Sequence, residues 1–255
     1  MSNDFSGKTA LVTGAASGIG LAVVRHLAAH GARRIVMSDL NADGLAAAAA
    51  TISGASVETH PGDVADEAYW ESLAPALEGL DIAHANAGTG GANGPIADVD
   101  LAAWRRVMAV NLDGVFLTVR SAMRAMKGRG GACLITASAA GVKAEIGSGA
   151  YSVSKAAVIH LAKVAAKEGA PDRIRVNAYA PGGVETAIWD QLPMFTDLVA
   201  KIGREAAFVA FAKMSTPLGR YAKPEEVAAQ MCFLLSDASS YTTGMLFLSD
   251  GGYTL

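Results

Sequence analysis

Cysteine is scarce in this chain of 255 residues: only Cys133 and Cys232 are present. Each lies inside an apolar stretch ("GACLIT", "AQMCFLLS") with no clustered Cys and His spacing, which argues against a disulfide framework or a metal site. Both read as small buried hydrophobes, and no metal ligands are expected. Charge of one sign is equally scarce. Lys and Arg number 21 against 24 Asp and Glu, a formal net charge of −3, and no Lys/Arg block runs along the chain. A protein that tracks a nucleic-acid backbone needs such a block, so nucleic acid is not an expected partner. Long apolar runs are missing too. No stretch approaches membrane-spanning length, and "MSNDFSGKTALVTG" reaches its first apolar run as a short strand flanked by glycine. A soluble, cytoplasmic protein without a membrane partner is expected.

Hydrophobic residues make up 51% of the chain, enough for a large core, and α/β chains of this size are often one domain. A single domain over 1–255 is expected. Apolar, β-rich runs recur as "KTALVT", "RIVMSD", "SVETH", "LDIAHA", "GACLITA", "RIRVNAYA" and "MLFLS". Helical patterns such as "IGLAVVRHLAAHGA", "NADGLAAAAATI" and "DEAYWESLAPALEG" lie between most of them. This alternation predicts an α/β fold with a parallel sheet covered by helices on both faces. One stretch, about 184–216, stands outside the rhythm.

The first strand runs into "TGAASGIG", with Gly14, Gly18 and Gly20 where strand meets helix. Glycines there let the backbone approach a pyrophosphate at a helix N-terminus, although a tight strand-helix connection uses the same residues for steric reasons alone. The second strand ends at Asp39, where a carboxylate can accept hydrogen bonds from adenosine ribose hydroxyls and repel a 2′-phosphate. NAD is therefore favoured over NADP. Arg33 and Arg34 precede that strand, are expected at its far end, and keep the NADP alternative open. In "YSVSK", Tyr151 and Lys155 stand four residues apart in a helical pattern and so share one face. A solvated helix face is the plain alternative.

Taken in order, these motifs resemble the short-chain dehydrogenase/reductase family over essentially the whole chain. "TGAASGIG" resembles its cofactor turn, "GDV" at 62–64 its adenine pocket, and "ANAG" at 85–88 the turn after the fourth strand. "VNLDGVF", "LITASAAG", "YSVSK", "RVNAYAPGGVET" and "SSYTTGMLFLSDGGYTL" follow at matching intervals. Ala85 departs from the family's usual asparagine, which leaves local support of the sheet open. The resemblance implies a single-domain Rossmann fold: a doubly wound, parallel, seven-stranded sheet with a small helical substrate lid at about 184–216. It implies Tyr151 as general acid/base, Lys155 as the charge that stabilises its phenolate and holds the nicotinamide ribose, Ser138 as the group orienting the substrate oxygen, and Asn111 as the holder of a proton-relay water. Cofactor contacts would come from Gly14, Ser17, Gly18, Ile19, Gly20, Asp39, Leu40, Asp63, Val64, Asn86, Ala87, Gly88, Pro181, Gly182, Val184 and Thr186, besides Tyr151 and Lys155.

The substrate would be an alcohol or ketone, bounded by Ala140, Val142, Ile146, Ser148 and Gly183 and by Ile188, Trp189 and Phe195 of the lid. Those lid apolar residues suit an uncharged, hydrophobic or cyclic secondary alcohol, unless they simply pack the lid onto the domain. Glu145 reads as a loop charge. Alternatives are an NADP-dependent ketone reductase, a sugar or polyol dehydrogenase, and a non-catalytic nucleotide-binding protein. The resemblance also implies a homotetramer.

Overall fold

A computed structural model describes residues 4–255 of the chain. Seven strands form one parallel sheet: β1 (Thr9–Thr13), β2 (Arg34–Asp39), β3 (Ser56–Pro61), β4 (Ile82–Ala85), β5 (Gly131–Thr136), β6 (Ile174–Pro181) and β7 (Leu246–Ser249). Their order is β3-β2-β1-β4-β5-β6-β7, the doubly wound, seven-stranded parallel sheet that the family resemblance implies. The strand order reverses between β1 and β4, where Leu11 pairs with Ala83, and a crevice opens there at the carboxyl ends of the strands.

The central strands are apolar on both faces because both faces are covered. On one side, Val12, Ile35, Met37 and Leu134 pack under α1 (Gly18–Ala29), α2 (Ala42–Ala49) and, with Val227 and Met231, α9 (Pro224–Leu235). On the other, Leu11, Val36, Ile135 and Val176 meet α3 (Glu67–Leu73), α5 (Gly114–Met126) and α6 (Gly149–Gly169). The buried face of α6 is rich in small residues, Ala150, Ser154, Ala162, Ala165, Ala166 and Gly169, so the helix lies close to the sheet. Arg175 on β6 closes the far end of α9, donating to the carbonyls of Leu234 and Ser236 at 2.9 Å and thereby satisfying terminal carbonyls of that helix.

Two local features serve the crevice. The helical run that begins as α4 (Leu101–Met108) passes through a π turn, Ala109–Asp113, before continuing as α5. Such insertions re-aim one side chain, and here that side chain is Asn111, which is fully buried. The segment after β6 forms a short 3₁₀ turn, Ala187–Gln191, then α7 (Pro193–Ile202) and α8 (Arg204–Ser215). These pieces share a small aromatic core of their own, built from Phe195, Phe208 and Tyr221 with Trp189 and Phe211 packed against it.

Candidate active site

The turn after β1 wraps tightly. Gly14 and Gly18 have φ of +64° and +54°, in the left-handed region that side chains resist. A Cβ at Gly20 would lie 2.1 Å from the Gly14 carbonyl, so α1 can begin this close to the strand only with glycine there. Ser17 sits at the N-cap of α1, but its side chain makes no capping bond, which leaves first-turn N–H groups pointing into the crevice. Together with Asp39 on the neighbouring strand, this cradle fits the diphosphate and ribose of a dinucleotide. Asp39 braces the same turn, accepting from Ala16 N–H and Asn41 N–H at 3.0 Å each. The cap of α2 is Asn41, which accepts from Gly44 N–H, so Asp39 is not spent on capping that helix. Leu40 is exposed beside it. Arg33 and Arg34 lie at the opposite end of β2, Arg33 on Thr9 and Arg34 on Glu58 and the Glu78 carbonyl.

Support expected from an asparagine at position 85 comes instead from its neighbours. Ala85 is buried in β4, while Asn86 receives Thr136 Oγ1 at 3.1 Å and donates to the Thr13 carbonyl at 3.1 Å. Because Thr136 Oγ1 donates to Asn86, it must accept from His84 Nε2 at 2.8 Å, which makes Nε2 the protonated nitrogen. Burial pushes the His84 pKa down to about 3, so the imidazole remains neutral. Thr13 Oγ1 in turn accepts the N–H groups of Asn86 and Ala87. On the adenine side, Val64 is buried against Gly114 and Asp63 is exposed, with Oδ1 on Ala65 N–H.

The four chemistry-bearing residues converge at the carboxyl ends of β4 and β5. Ser138 opens the 3₁₀ turn Ala139–Gly141, and Gly141 lies against α6, where a Cβ would be 2.7 Å from the Lys155 carbonyl carbon. That contact presses the Ser138 turn onto the helix carrying Tyr151. The Tyr151 phenol is pushed up by burial, an effect opposed by its hydrogen bond with Ser138. Lys155 is buried one turn later, donating to the Thr136 carbonyl at 2.8 Å, with Nζ 5.7 Å from the Tyr151 ring centroid. Burial holds its pKa at about 8. Gly88 closes the gap: its missing Cβ would stand 3.4 Å from both Lys155 Nζ and Asn111 Oδ1.

Asn111 differs from the expectation in detail. Its side chain clamps the turn after β4, accepting from Thr89 N–H at 2.8 Å and donating to the Thr89 carbonyl at 2.8 Å and to Ser154 Oγ at 3.2 Å. Both amide hydrogens are used, so only one lone pair on Oδ1 remains for a relay. Thr89, Thr136 and Ser154 were not singled out from the sequence. Ser154 stood inside "YSVSK" and Thr136 inside "LITAS", but nothing local marks them as partners.

Several substrate-side expectations need correction. Phe195 is fully buried among Trp189, Phe208 and Phe211 and offers no wall to a pocket. Trp189 stacks on Tyr221 at 4.9 Å and is likewise committed to the lid core. Gly183 packs against the Tyr221 ring, which a Cβ would meet at 2.2 Å. The Val184 carbonyl is taken twice, by Thr186 N–H and Trp189 Nε1 at 2.8 Å each, leaving it no capacity for a carboxamide. Ile188 and Val142 are exposed, Ala140 and Ser148 half-buried, and Ile146 stands wholly in solvent at the tip of its loop. Thr186 touches Gly18, where a Cβ would lie 3.2 Å from its methyl, while Pro181 is buried and Gly182 abuts Asp250. The lid meets the turn after β4 through Gln191, whose Oε1 accepts from Thr89 Oγ1 at 3.2 Å.

The family model described as enoyl-(acyl carrier protein) reductase matches residues 14–254. The chain belongs to the short-chain dehydrogenase/reductase family. Among its relatives is a cis-4-hydroxycyclohexanecarboxylate dehydrogenase from Sinomonas cyclohexanicum, 38% identical over 100% of this chain and 99% of that one. A 2,5-dichloro-2,5-cyclohexadiene-1,4-diol dehydrogenase from Sphingobium indicum is also 38% identical, over 99% of each. The crystal structure of L-sorbose reductase from Gluconobacter frateurii, complexed with NADPH and L-sorbose, superposes with a TM-score of 0.92 at 31% identity, covering 99% and 98% of the two chains. As a short-chain dehydrogenase/reductase the protein is an oxidoreductase of a family that uses nicotinamide cofactors, and its dehydrogenase relatives act on CH–OH donors. Among the described residues no helix is long and apolar enough to cross a membrane, and no cluster of His, Cys, Asp or Glu is placed to hold a metal. Both cysteines are buried, and burial raises both thiols, Cys133 to about 12.

Proposed function

We propose that the protein oxidises an uncharged, cyclic or otherwise hydrophobic secondary alcohol to its ketone with NAD. The observation that carries this reading is the convergence of Ser138, Tyr151, Lys155 and Asn111 beside a glycine cradle that ends at an acidic Asp39. Tyr151 takes the hydroxyl proton, and Ser138 holds the substrate oxygen through the same small donor cluster. A bound oxidised nicotinamide would supply a hydride acceptor for the carbinol carbon and a positive charge at a site where burial otherwise disfavours the Tyr151 phenolate. Lys155 hands its proton to a water that the free lone pair of Asn111 Oδ1 would hold, and from there to solvent, while its bond to the buried Thr136 carbonyl fixes the ammonium.

Asp39 supports NAD, because the end of β2 offers a carboxylate and its two arginines are at the other end of the strand. The substrates named for two relatives are cyclic, and Ile188 and Met194 of the lid and Val142 of the loop before α6 are exposed apolar residues that suit such a ring. Apolar residues exposed on α4, α5 and α6 (Leu101, Phe116, Val153, Val164) support a homotetramer, which a monomeric mass in light scattering would refute.

Absorbance at 340 nm, with NAD and NADP offered separately against cyclic, aryl, steroidal and polyol alcohols, tests the reading. NAD reduction with a cyclic or hydrophobic class is expected. Turnover confined to polyols with NADP would instead favour the sugar-reductase alternative, to which the likeness to L-sorbose reductase lends weight.

A further inference from the structure

The residues after β7 lie between three parts of the site. The turn at the end of β6 reaches them through Gly182, which donates to the Ser249 carbonyl at 3.0 Å and would meet Asp250 Cα at 2.6 Å if it carried a Cβ. The base of the lid reaches them through Leu218, whose N–H donates to the Gly251 carbonyl at 3.1 Å, and through Thr216 and Pro217, which close on Gly251 and Gly252. Both glycines have positive φ, +63° and +90°, and a Cβ on either would lie under 3.0 Å from those neighbours. Asp250 fixes the tail, accepting from Gly252 N–H at 2.9 Å and Thr254 N–H at 2.8 Å.

This folded tail delivers Tyr253 to the loop between Ser138 and Tyr151. The Tyr253 hydroxyl donates to Glu145 Oε1, and Lys143 Nζ donates to the Tyr253 carbonyl at 2.7 Å while standing 4.6 Å from its ring centroid. Lys143 and Glu145 are the only charged residues in 139–150, so one tyrosine occupies every charge on that wall. On its other side the loop is held by Gly94, whose N–H donates to the Gly147 carbonyl at 3.0 Å.

We infer that Tyr253 is a specificity-determining positioning residue: it fixes the Ala140–Ser148 wall against the lid base and keeps Lys143 and Glu145 from meeting the substrate. The inference rests on the alcohol-oxidising reading of the site. It predicts that Tyr253→Phe, which keeps the ring and the carbonyl for Lys143 but loses the exposed bond to Glu145, raises the KM for an uncharged alcohol about five- to tenfold, the size of one ordinary net hydrogen bond. Values of kcat and of KM for NAD should remain within about twofold. Glu145→Gln keeps an acceptor for the phenol and should retain the wild-type KM. Glu145→Ala loses the same bond but frees no charge, so its KM should rise less than that of Tyr253→Phe, and the double variant should be no worse than Tyr253→Phe.

Amide hydrogen exchange supplies a readout independent of turnover. Residues 142–148 should exchange faster in Tyr253→Phe than in the wild type, while the β1 turn is unchanged. The inference is overturned if alcohol KM and exchange both stay at wild-type values, or if NAD KM and thermal stability deteriorate in step with alcohol KM. Should the wild type oxidise no alcohol, the proposed function fails, and the exchange result alone decides whether Tyr253 holds the wall.

Discussion

Replacing Asp39 with asparagine isolates charge from shape at the end of β2. The carboxylate accepts backbone N–H groups from Ala16 and Asn41 at 3.0 Å, so an alanine there would loosen the glycine turn as well as remove the charge. Asparagine keeps an acceptor in place. A 2′-phosphate about 4 Å from the carboxylate would be repelled by ~4 kcal/mol at an effective dielectric of ~20. Asp39 is half exposed, and solvent together with ~0.15 M salt screens that to about 1–2 kcal/mol. Each 1.4 kcal/mol is about a factor of ten, so Asp39→Asn should shift the NADP/NAD ratio of kcat/KM by about five- to thirtyfold towards NADP. It should not make NADP the better cofactor outright, since Arg33 and Arg34 are committed at the opposite end of the strand. The assay is initial rate at 340 nm with each cofactor at two ionic strengths, and the wild-type discrimination should narrow at the higher one. A wild type that prefers NADP, or an unchanged ratio in Asp39→Asn, would refute the reasoning.

Tyr151→Phe should abolish turnover and leave NAD affinity within about threefold by fluorescence titration; activity surviving within tenfold would remove the phenol from the acid/base role. Burial raises the Tyr151 pKa, so alcohol oxidation, which needs the phenolate, should climb as pH rises from 7 to 10, while ketone reduction, which needs the phenol, should hold over the same range. Lys155→Met should be inactive yet more stable. A lysine held at about 8 against an ordinary 10.5 costs roughly 3 kcal/mol while charged, so the variant should melt several degrees higher at pH 7. The unfolded chain keeps its proton between those two values and the folded chain does not. Wild-type stability therefore gains as pH rises through this window, and the advantage of Lys155→Met should shrink there. Gly20→Ala, with a Cβ 2.1 Å from the Gly14 carbonyl, should lose NAD binding in calorimetry while far-UV circular dichroism still shows a folded α/β protein.

The sheet was legible because all of its strands but the edge strand β3 are short apolar runs set between helical patterns, and parallel pairing needs little beyond that. Tyr151 and Lys155 were legible for a similar reason, since one helical turn brings them together without help from elsewhere. What the sequence concealed was contact across distance. Asn111 and Thr89 are joined by the π turn, an irregularity no periodicity announces. Tyr253 and Glu145 meet although they stand 108 positions apart. Phe195 read as a pocket wall because hydrophobicity marks a residue for burial without saying in which core, and the lid proved to have its own. Ala85 was a real departure, and its compensation by His84 and Thr136 depends on strand register between β4 and β5.

That separate lid core gives the protein a modular specificity surface. Trp189, Phe195, Phe208 and Tyr221 hold the lid together by contacts with one another. Ile188, Met194 and Met214 are exposed on the same short elements and contribute nothing to that cohesion. Selection, or a directed library, can therefore rewrite the exposed set without unfolding the piece that carries it, much as a tool head is changed on a fixed shaft.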